Sequence, residues 1–150
     1  MTLDLLFKLG NMTALAGWGV LLASPFLPRL ADRVAGLAIP LLLAVAYAGL
    51  VLAFWTGAEG GFGTLRDVMR LFDDPGVALA GWLHYLAFDL LVGAWVVRTA
   101  RAEGIAFALA APCLALTFLF GPAGYFAFSC LRGARALQAK AGAIAADARP

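Results

Sequence analysis

Residues 76–97 read GVALAGWLHYLAFDLLVGAWVV, and this stretch decides the class of the fold. It contains no Lys, Arg or Glu, a single Asp and a single His. A helix needs about 20 consecutive apolar residues to cross the hydrocarbon of a bilayer, and this run has that length. Asp89 and His84 are therefore ionisable groups at membrane depth. Placing a charge there costs at least roughly 2.5–3.5 kcal/mol on insertion scales, so such groups face protein or water and are functional candidates by default.

The rest of the chain repeats the pattern. No Asp, Glu, Lys or Arg occurs between Lys8 and Arg29, between Arg33 and Glu59, or between Glu103 and Arg132. Hydrophobic residues make up 63% of the 150 and charged residues 13%, with a mean hydropathy of +0.90. A soluble domain is nearer half apolar and a quarter charged. The expectation is an all-α polytopic membrane protein, a four-transmembrane-helix bundle with spans at 5–23, 34–55, 76–97 and 105–131. The transmembrane domain then covers 1–135. The Ala-rich tail 136–150 extends the last helix briefly and frays. The first segment carries Asp4 and a long apolar run, so it reads as a retained helix rather than a signal peptide.

Within these spans, Gly10, Ala14 and Gly17 form one smooth stripe for close helix packing. Pro40 should bend the second span, and Gly121-Pro122-Ala123-Gly124 should kink or unwind the fourth. Cys113 and Cys130, seventeen residues apart on one helix, would lie about 25 Å apart. That is beyond disulfide reach, and both read as small buried hydrophobes.

The connector between spans two and three has a flexible half, with Gly57, Gly60, Gly61 and Gly63, and an amphipathic half at 64–72. Leu65, Val68, Met69 and Phe72 recur at helical spacing, and Thr64 with Asp67 resembles a capping box. The expectation is a short interfacial helix, either a plain surface element or a lid over a site in the lipid phase. Four spans put both termini on one side, and the raw count of basic residues favours termini in the cytoplasm.

Several chemistries are excluded. A net charge of +2 with dispersed basic residues does not suit nucleic acid. One histidine and few carboxylates cannot build the usual protein-only metal sites. Gly60-Gly61-Phe62-Gly63 lacks the strand and helix of a phosphate loop. No serine-nucleophile motif is present, and membrane charge is too sparse for a proton relay. Four Trp and eleven Phe suit a flat or polyene-like apolar ligand, and suit lipid contact equally.

What remains is the pair in span three. Five residues advance a helix by about 140°, so His84 and Asp89 do not stack as an i, i+4 pair would. They could border one cleft without bonding each other. Asp89 shares its face with Trp82, Tyr85 and Gly93; His84 faces with Gly81, Phe88 and Trp95. The alternative is that Asp89 simply glues helices together through Asn11, Tyr47, Thr117 or Tyr125.

Three runs carry a family likeness: Leu71-Phe72-Asp73-Asp74-Pro75; Trp82-x-His84-Tyr85-Leu86-Ala87-Phe88-Asp89-Leu90-x-Val92-Gly93; and Pro112-Cys113-Leu114 followed by Leu116-Thr117-Phe118-x-Phe120-Gly121-Pro122-x-Gly124. Together they resemble the plant neoxanthin-synthase (abscisic-acid-deficient four) family, whose bacterial and algal relatives share the four-span layout. Leu91 and Ala94 stand where many members carry an aromatic and a basic residue. The resemblance implies a bacterial inner-membrane protein that acts on a carotenoid and needs no cofactor or metal. The implied reaction is the isomerisation of violaxanthin to neoxanthin: an epoxide opens and a neighbouring carbon loses a proton, leaving an allene. It asks for an acid at oxygen and a base at carbon, which implies Asp89 as acid and His84 as base. Trp82, Tyr85, Trp95, Asn11, Thr117 and Tyr125 are then the candidates for substrate contact. Membrane lipid and a carotenoid-like ligand are the implied partners, together with a homo-oligomer or a carotenoid enzyme. The alternative function is a non-enzymatic carotenoid- or lipid-binding protein, or a structural partner.

Overall fold

The computed structural model describes residues 2–147, all of whose regular elements are helical. Six helices follow one another: α1 (Leu3–Leu22), α2 (Pro28–Gly57), α3 (Leu65–Leu71), α4 (Pro75–Ala102), α5 (Phe107–Phe120) and α6 (Pro122–Asp147). Three of them, α1, α2 and α4, are long and apolar enough to cross a membrane. The shorter apolar α5 has 14 residues, about 21 Å at 1.5 Å per residue.

The chain packs around α4, which buries thirteen of its 28 residues. The smooth stripe of α1 meets it directly. A methyl group added at Gly10 would lie 2.5 Å from Leu83 Cδ2, and one at Gly17 2.6 Å from Leu90 Cδ2. The backbones thus approach closely because those positions carry no side chain, as the stripe predicts. On its other flank α4 packs along α2. The Pro40 disturbance takes a definite form. Residues Ala31–Ala38 are wound as a π-helix, and the Ile39 amide donates to the Val34 carbonyl five residues back. Proline at 40 has no N–H for the carbonyl of residue 36, and the wider turn absorbs the misfit just ahead of it.

α3 forms where the capping box places it. Thr64 Oγ1 accepts from the Asp67 amide at 3.2 Å and donates to Asp67 Oδ2 at 2.8 Å. Leu71, at its end, is buried.

The largest departure from expectation is the segment 105–131, read from sequence as one span kinked or unwound at Gly121-Pro122-Ala123-Gly124. It is two helices that fold back on each other at Gly121. Glu103, which caps the end of α4, accepts three hydrogen bonds from Arg132 of α6, two from Nε at 2.9 and 2.8 Å and one from Nη2. One continuous helix would hold these residues roughly 40 Å apart. Phe107 of α5 and Leu131 of α6 pack against the same core, and Trp95 of α4 meets both Tyr125 and Phe128 of α6. Gly121 makes the reversal with φ +41° and ψ −92°, a conformation open to glycine and hardly to any other residue. Proline then starts α6, at a position where a missing N–H costs nothing.

The reversal bears on two readings. Cys113 and Cys130 lie on opposite arms of the hairpin; both are free, but Cys130 is exposed rather than buried. The described C-terminal helix also leaves from the end of the bundle where α4 stops, opposite the end where α1 begins. α6 continues to Asp147; residues 148–150 of the expected tail, Arg149 among them, lie outside the described residues.

The base of the hairpin is pH-sensitive in a defined direction. The hydrogen bonds from Arg132 hold the Glu103 carboxyl below its ordinary value of 4.5. A depressed folded pKa means that the contribution is complete above the unfolded value and is lost as pH falls through the folded one. In detergent, the gap in unfolding midpoint between wild type and Glu103→Gln should be small at neutral pH, since the pair is exposed. It should close as the pH drops below 4.5 and shrink in high salt. A gap that widens on acidification contradicts the assignment.

Candidate functional site

Asp89 lies fourteen residues after the start of α4 and thirteen before its end, at the middle of the helix around which the chain packs. It is 7% exposed. Its carboxyl faces the tip of the hairpin: a methyl group added at Gly121 would lie 2.5 Å from Asp89 Oδ1. Gly121 is thus required twice, by its backbone angle and by the carboxyl against it. Among the described residues Asp89 Oδ2 is buried without a hydrogen-bond partner. A buried polar atom in that state costs about 1–3 kcal/mol, and native structures hold few of them.

Of the groups that could have glued Asp89 to another helix, two are hydrogen-bonded elsewhere and two lie against other rings. Asn11 Oδ1 accepts from Trp82 Nε1 at 3.1 Å, while its amide donates to the Phe7 carbonyl at 2.8 Å. Thr117, fully buried, donates to the Cys113 carbonyl at 2.8 Å. The Tyr47 ring lies against His84 and the Tyr125 ring against Trp95.

Tyr85 precedes Asp89 by one turn on the same face. Its hydroxyl donates to the Leu119 carbonyl near the hairpin tip, at 3.4 Å. Tyr85, Asn11 and Trp82 line a cleft of about 280 Å³ between α1, α4 and the tip, closed by Phe118 and Leu119. This cleft is the middle of three. One of about 390 Å³ adjoins it at Trp82 and runs to Leu3 and Pro75. Another of about 390 Å³ adjoins it at Leu15 and Phe118 and runs to Leu22 and Ala111. The three clefts follow one another along α1 and share wall residues, with Tyr85 in the middle one and Asp89 one turn beyond Tyr85 on α4.

His84 opens elsewhere. It stacks on Phe88 at 4.5 Å and lies 5.5 Å from the Tyr47 ring. It lines a groove of about 270 Å³ between α2, α3 and α4, with Trp55, Phe62, Leu71 and Phe72. The 140° between the two residues thus leaves His84 on this groove and turns Asp89 to the hairpin tip. Trp95 and Tyr125 form a third group, with ring centres 5.1 Å apart, beneath Arg132, whose guanidinium carbon sits 5.7 Å from the Trp95 ring. Of the eight candidate residues, the structure gathers Asn11, Trp82 and Tyr85 at one cleft with Asp89 one turn beyond Tyr85, buries Thr117 in the hairpin, and sets His84 and the Trp95–Tyr125 pair apart.

Sequence reasoning missed Phe118 and Leu119, which become cleft walls only once the chain reverses at Gly121. It also missed Trp55, Phe62 and Phe72 as neighbours of His84. Phe72 had a signal: it ends the amphipathic run of α3, and Gly81 is the small residue it rests on, with a methyl group there 2.5 Å from Phe72 Cε1.

Searches of curated proteins and of solved structures return no match. A family model described as ABA DEFICIENT 4-like matches residues 5–128. That range takes in α1, α2, α3, α4 and α5, the reversal at Gly121 and the carboxyl lodged against it. This helical membrane protein, whose buried Asp89 has one oxygen without a partner among the described residues, belongs to the ABA DEFICIENT 4-like family.

Proposed function

We propose that this protein binds a carotenoid-like polyene in the clefts along α1 and isomerises it at Tyr85 and Asp89. The observation that carries the reading is the buried Asp89 carboxyl with an unpartnered oxygen. A residue kept only to hold helices together would have its bonds made. The clefts support the ligand class. Their walls are mostly apolar, and Asn11, Trp82 and Tyr85 bring polar groups to the middle cleft, as ligand sites do. Family membership supports the reaction class, through the likeness to neoxanthin synthase.

For an epoxide end group in the middle cleft, the Tyr85 hydroxyl would give its proton to the epoxide oxygen as the C–O bond breaks. Asp89 would reprotonate Tyr85. The neighbouring carbon would lose a proton, its C–H pair becoming the second double bond of an allene, and that proton would return to the carboxylate through Tyr85. Protons balance and no redox partner is consumed. Asp89 and His84 do not act on one bond in this scheme, because His84 lines its own groove and Asp89 turns to the hairpin tip. His84 would instead hydrogen-bond an oxygenated end group in its own aromatic groove, with α3 lying in the interface over it. The bacterial inner membrane is the proposed location.

The separation of His84 from Asp89 favours a second reading, a carotenoid-binding protein without catalysis. Both are tested by expressing the chain in a host that makes epoxy-carotenoids, purifying it in mild detergent and resolving the bound and extracted pigments. An isomer absent from the empty-vector host supports the enzyme. Unaltered bound pigment supports the binder, and a colourless protein with an unchanged host profile overturns both.

A further inference from the structure

The two ends of the bundle carry opposite charge once the reversal at Gly121 is taken into account. At the end where α1 begins, α2 finishes and α4 starts lie Asp4, Glu59, Asp67, Asp73 and Asp74, against Lys8, Arg66 and Arg70. At the other end, Arg29 and Arg33 open α2, Arg98 and Arg101 close α4, and Arg132, Arg135 and Lys140 follow on α6. Asp32, Glu103 and Asp147 oppose them. Among the described residues, basic ones at the two ends divide seven to three, and acidic ones three to five, in the opposite sense. Read as a straight span, residues 105–131 would carry the α6 cations to the acidic end and nearly erase the contrast.

We infer that the chain crosses the membrane three times, with α1 starting outside and α6 ending in the cytoplasm, and that α5 and α6 form a re-entrant hairpin. Three observations fix the hairpin. Arg132 of α6 bonds Glu103 at the end of α4, so both arms start from one surface. The tip meets Asp89, at the middle of α4, so the arms reach about half-way. And the tip can exist at that depth. Irregular backbone is tolerated within a bilayer only where protein covers it. Gly121 is buried, its amide donates to the Thr117 carbonyl at 2.8 Å and its carbonyl accepts from the Gly124 amide at 3.1 Å. The orientation follows from the excess of Arg and Lys, which is retained on the cytoplasmic side. Some of these cations are paired, Arg101 with Asp32 at 2.6 Å for one, but the rule counts basic residues rather than net charge.

The orientation does not depend on any ligand. It adds to the proposed function that the middle cleft and the His84 groove, both lying between the start of α4 and Asp89, open in the outer half of the bilayer.

The test is labelling of full-length chain in a bacterial inner membrane, in a Cys130→Ser background that leaves only the buried Cys113. Glu59→Cys and Gly61→Cys report one end, Gln138→Cys and Ala141→Cys the other; Glu59, Gln138 and Ala141 are exposed, and a side chain at Gly61 would meet nothing within 4 Å. A membrane-impermeant maleimide applied to intact spheroplasts should label the first pair fully. It should label the second pair only after permeabilisation, with a several-fold rise. Both pairs labelled, or both protected, in intact spheroplasts means an even number of crossings and overturns the hairpin. The reverse pattern, or half-labelling at every position, overturns the orientation. No pigment is read, so failure here and failure of the carotenoid reading are separable.

Discussion

Asp89→Asn is expected to lower pigment conversion at least roughly 100-fold, the low end of what a positioned acid or base supplies, while leaving the unfolding midpoint unchanged or higher. The two readouts move apart because of where the carboxyl sits. Asp89 is 7% exposed with Oδ2 unpartnered, so the folded protein already bears a cost of about 1–3 kcal/mol for it. An amide of the same shape keeps the contact with the hairpin tip and removes a titratable group from the membrane interior. A residue retained for packing behaves in the opposite way: losing it destabilises the protein, and activity falls only because the fold does. His84→Ala separates the clefts. Its ring stacks on Phe88 and lines the α2–α4 groove, so its loss should reduce bound pigment with less than about a tenfold change in turnover of what remains bound, if the only interaction lost is a hydrogen bond of about 1 kcal/mol. Full turnover by Asp89→Asn, assayed by chromatography of extracted pigments, ends the catalytic reading. A collapse of its unfolding midpoint shows instead that the carboxyl is structural.

Three of the four expected spans were legible because a crossing helix needs only length and an absence of charge, and both are visible in a string of letters. The windows 5–23, 34–55 and 76–97 lie within α1, α2 and α4 but for Ala23, with ends displaced by a few residues where snorkelling or capping groups extend the helix. The α1 stripe was legible for a similar reason, since 3.6 residues per turn place Gly10, Ala14 and Gly17 on one line. The window 105–131 misled because hydropathy has no direction: two antiparallel arms score as one continuous span. Its length was a clue. An uncharged stretch of 28 residues is long for one crossing, and Gly-Pro inside it is a turn signal. The candidate residues divided in the same way. That Asp89 and His84 were the only carboxylate and the only histidine in a span was visible, and so was their angular separation. What each faced depended on the helices opposite, and for Asp89 the neighbour was the hairpin tip itself.

Gly121→Ala is the most damaging single substitution expected on this fold, and it tests the hairpin and the Asp89 site together. Two costs add. Alanine at φ +41°, ψ −92° is strained by on the order of 1–3 kcal/mol. Its methyl group would also meet Asp89 Oδ1 at 2.5 Å and the carboxyl carbon at 3.2 Å, an overpacking of about 1–3 kcal/mol. The carboxyl has little room to retreat, because Leu90 beside it is fully buried. The sum, about 2–6 kcal/mol, should lower the midpoint in detergent by on the order of 10 °C, using the scaling for chains of this size. Gly49→Ala is the matched control. Gly49 lies within α2, and a methyl group there meets nothing within 4 Å. Replacing glycine by alanine inside a helix contributes about 0.5–1 kcal/mol of stability, so the sign reverses. A straight fourth span makes a different forecast. Gly121 would then be an interior helical glycine like Gly49, and alanine would stabilise at both positions. Two variants of the same chemistry with opposite signs can therefore come only from a chain that reverses at Gly121 against a buried carboxyl.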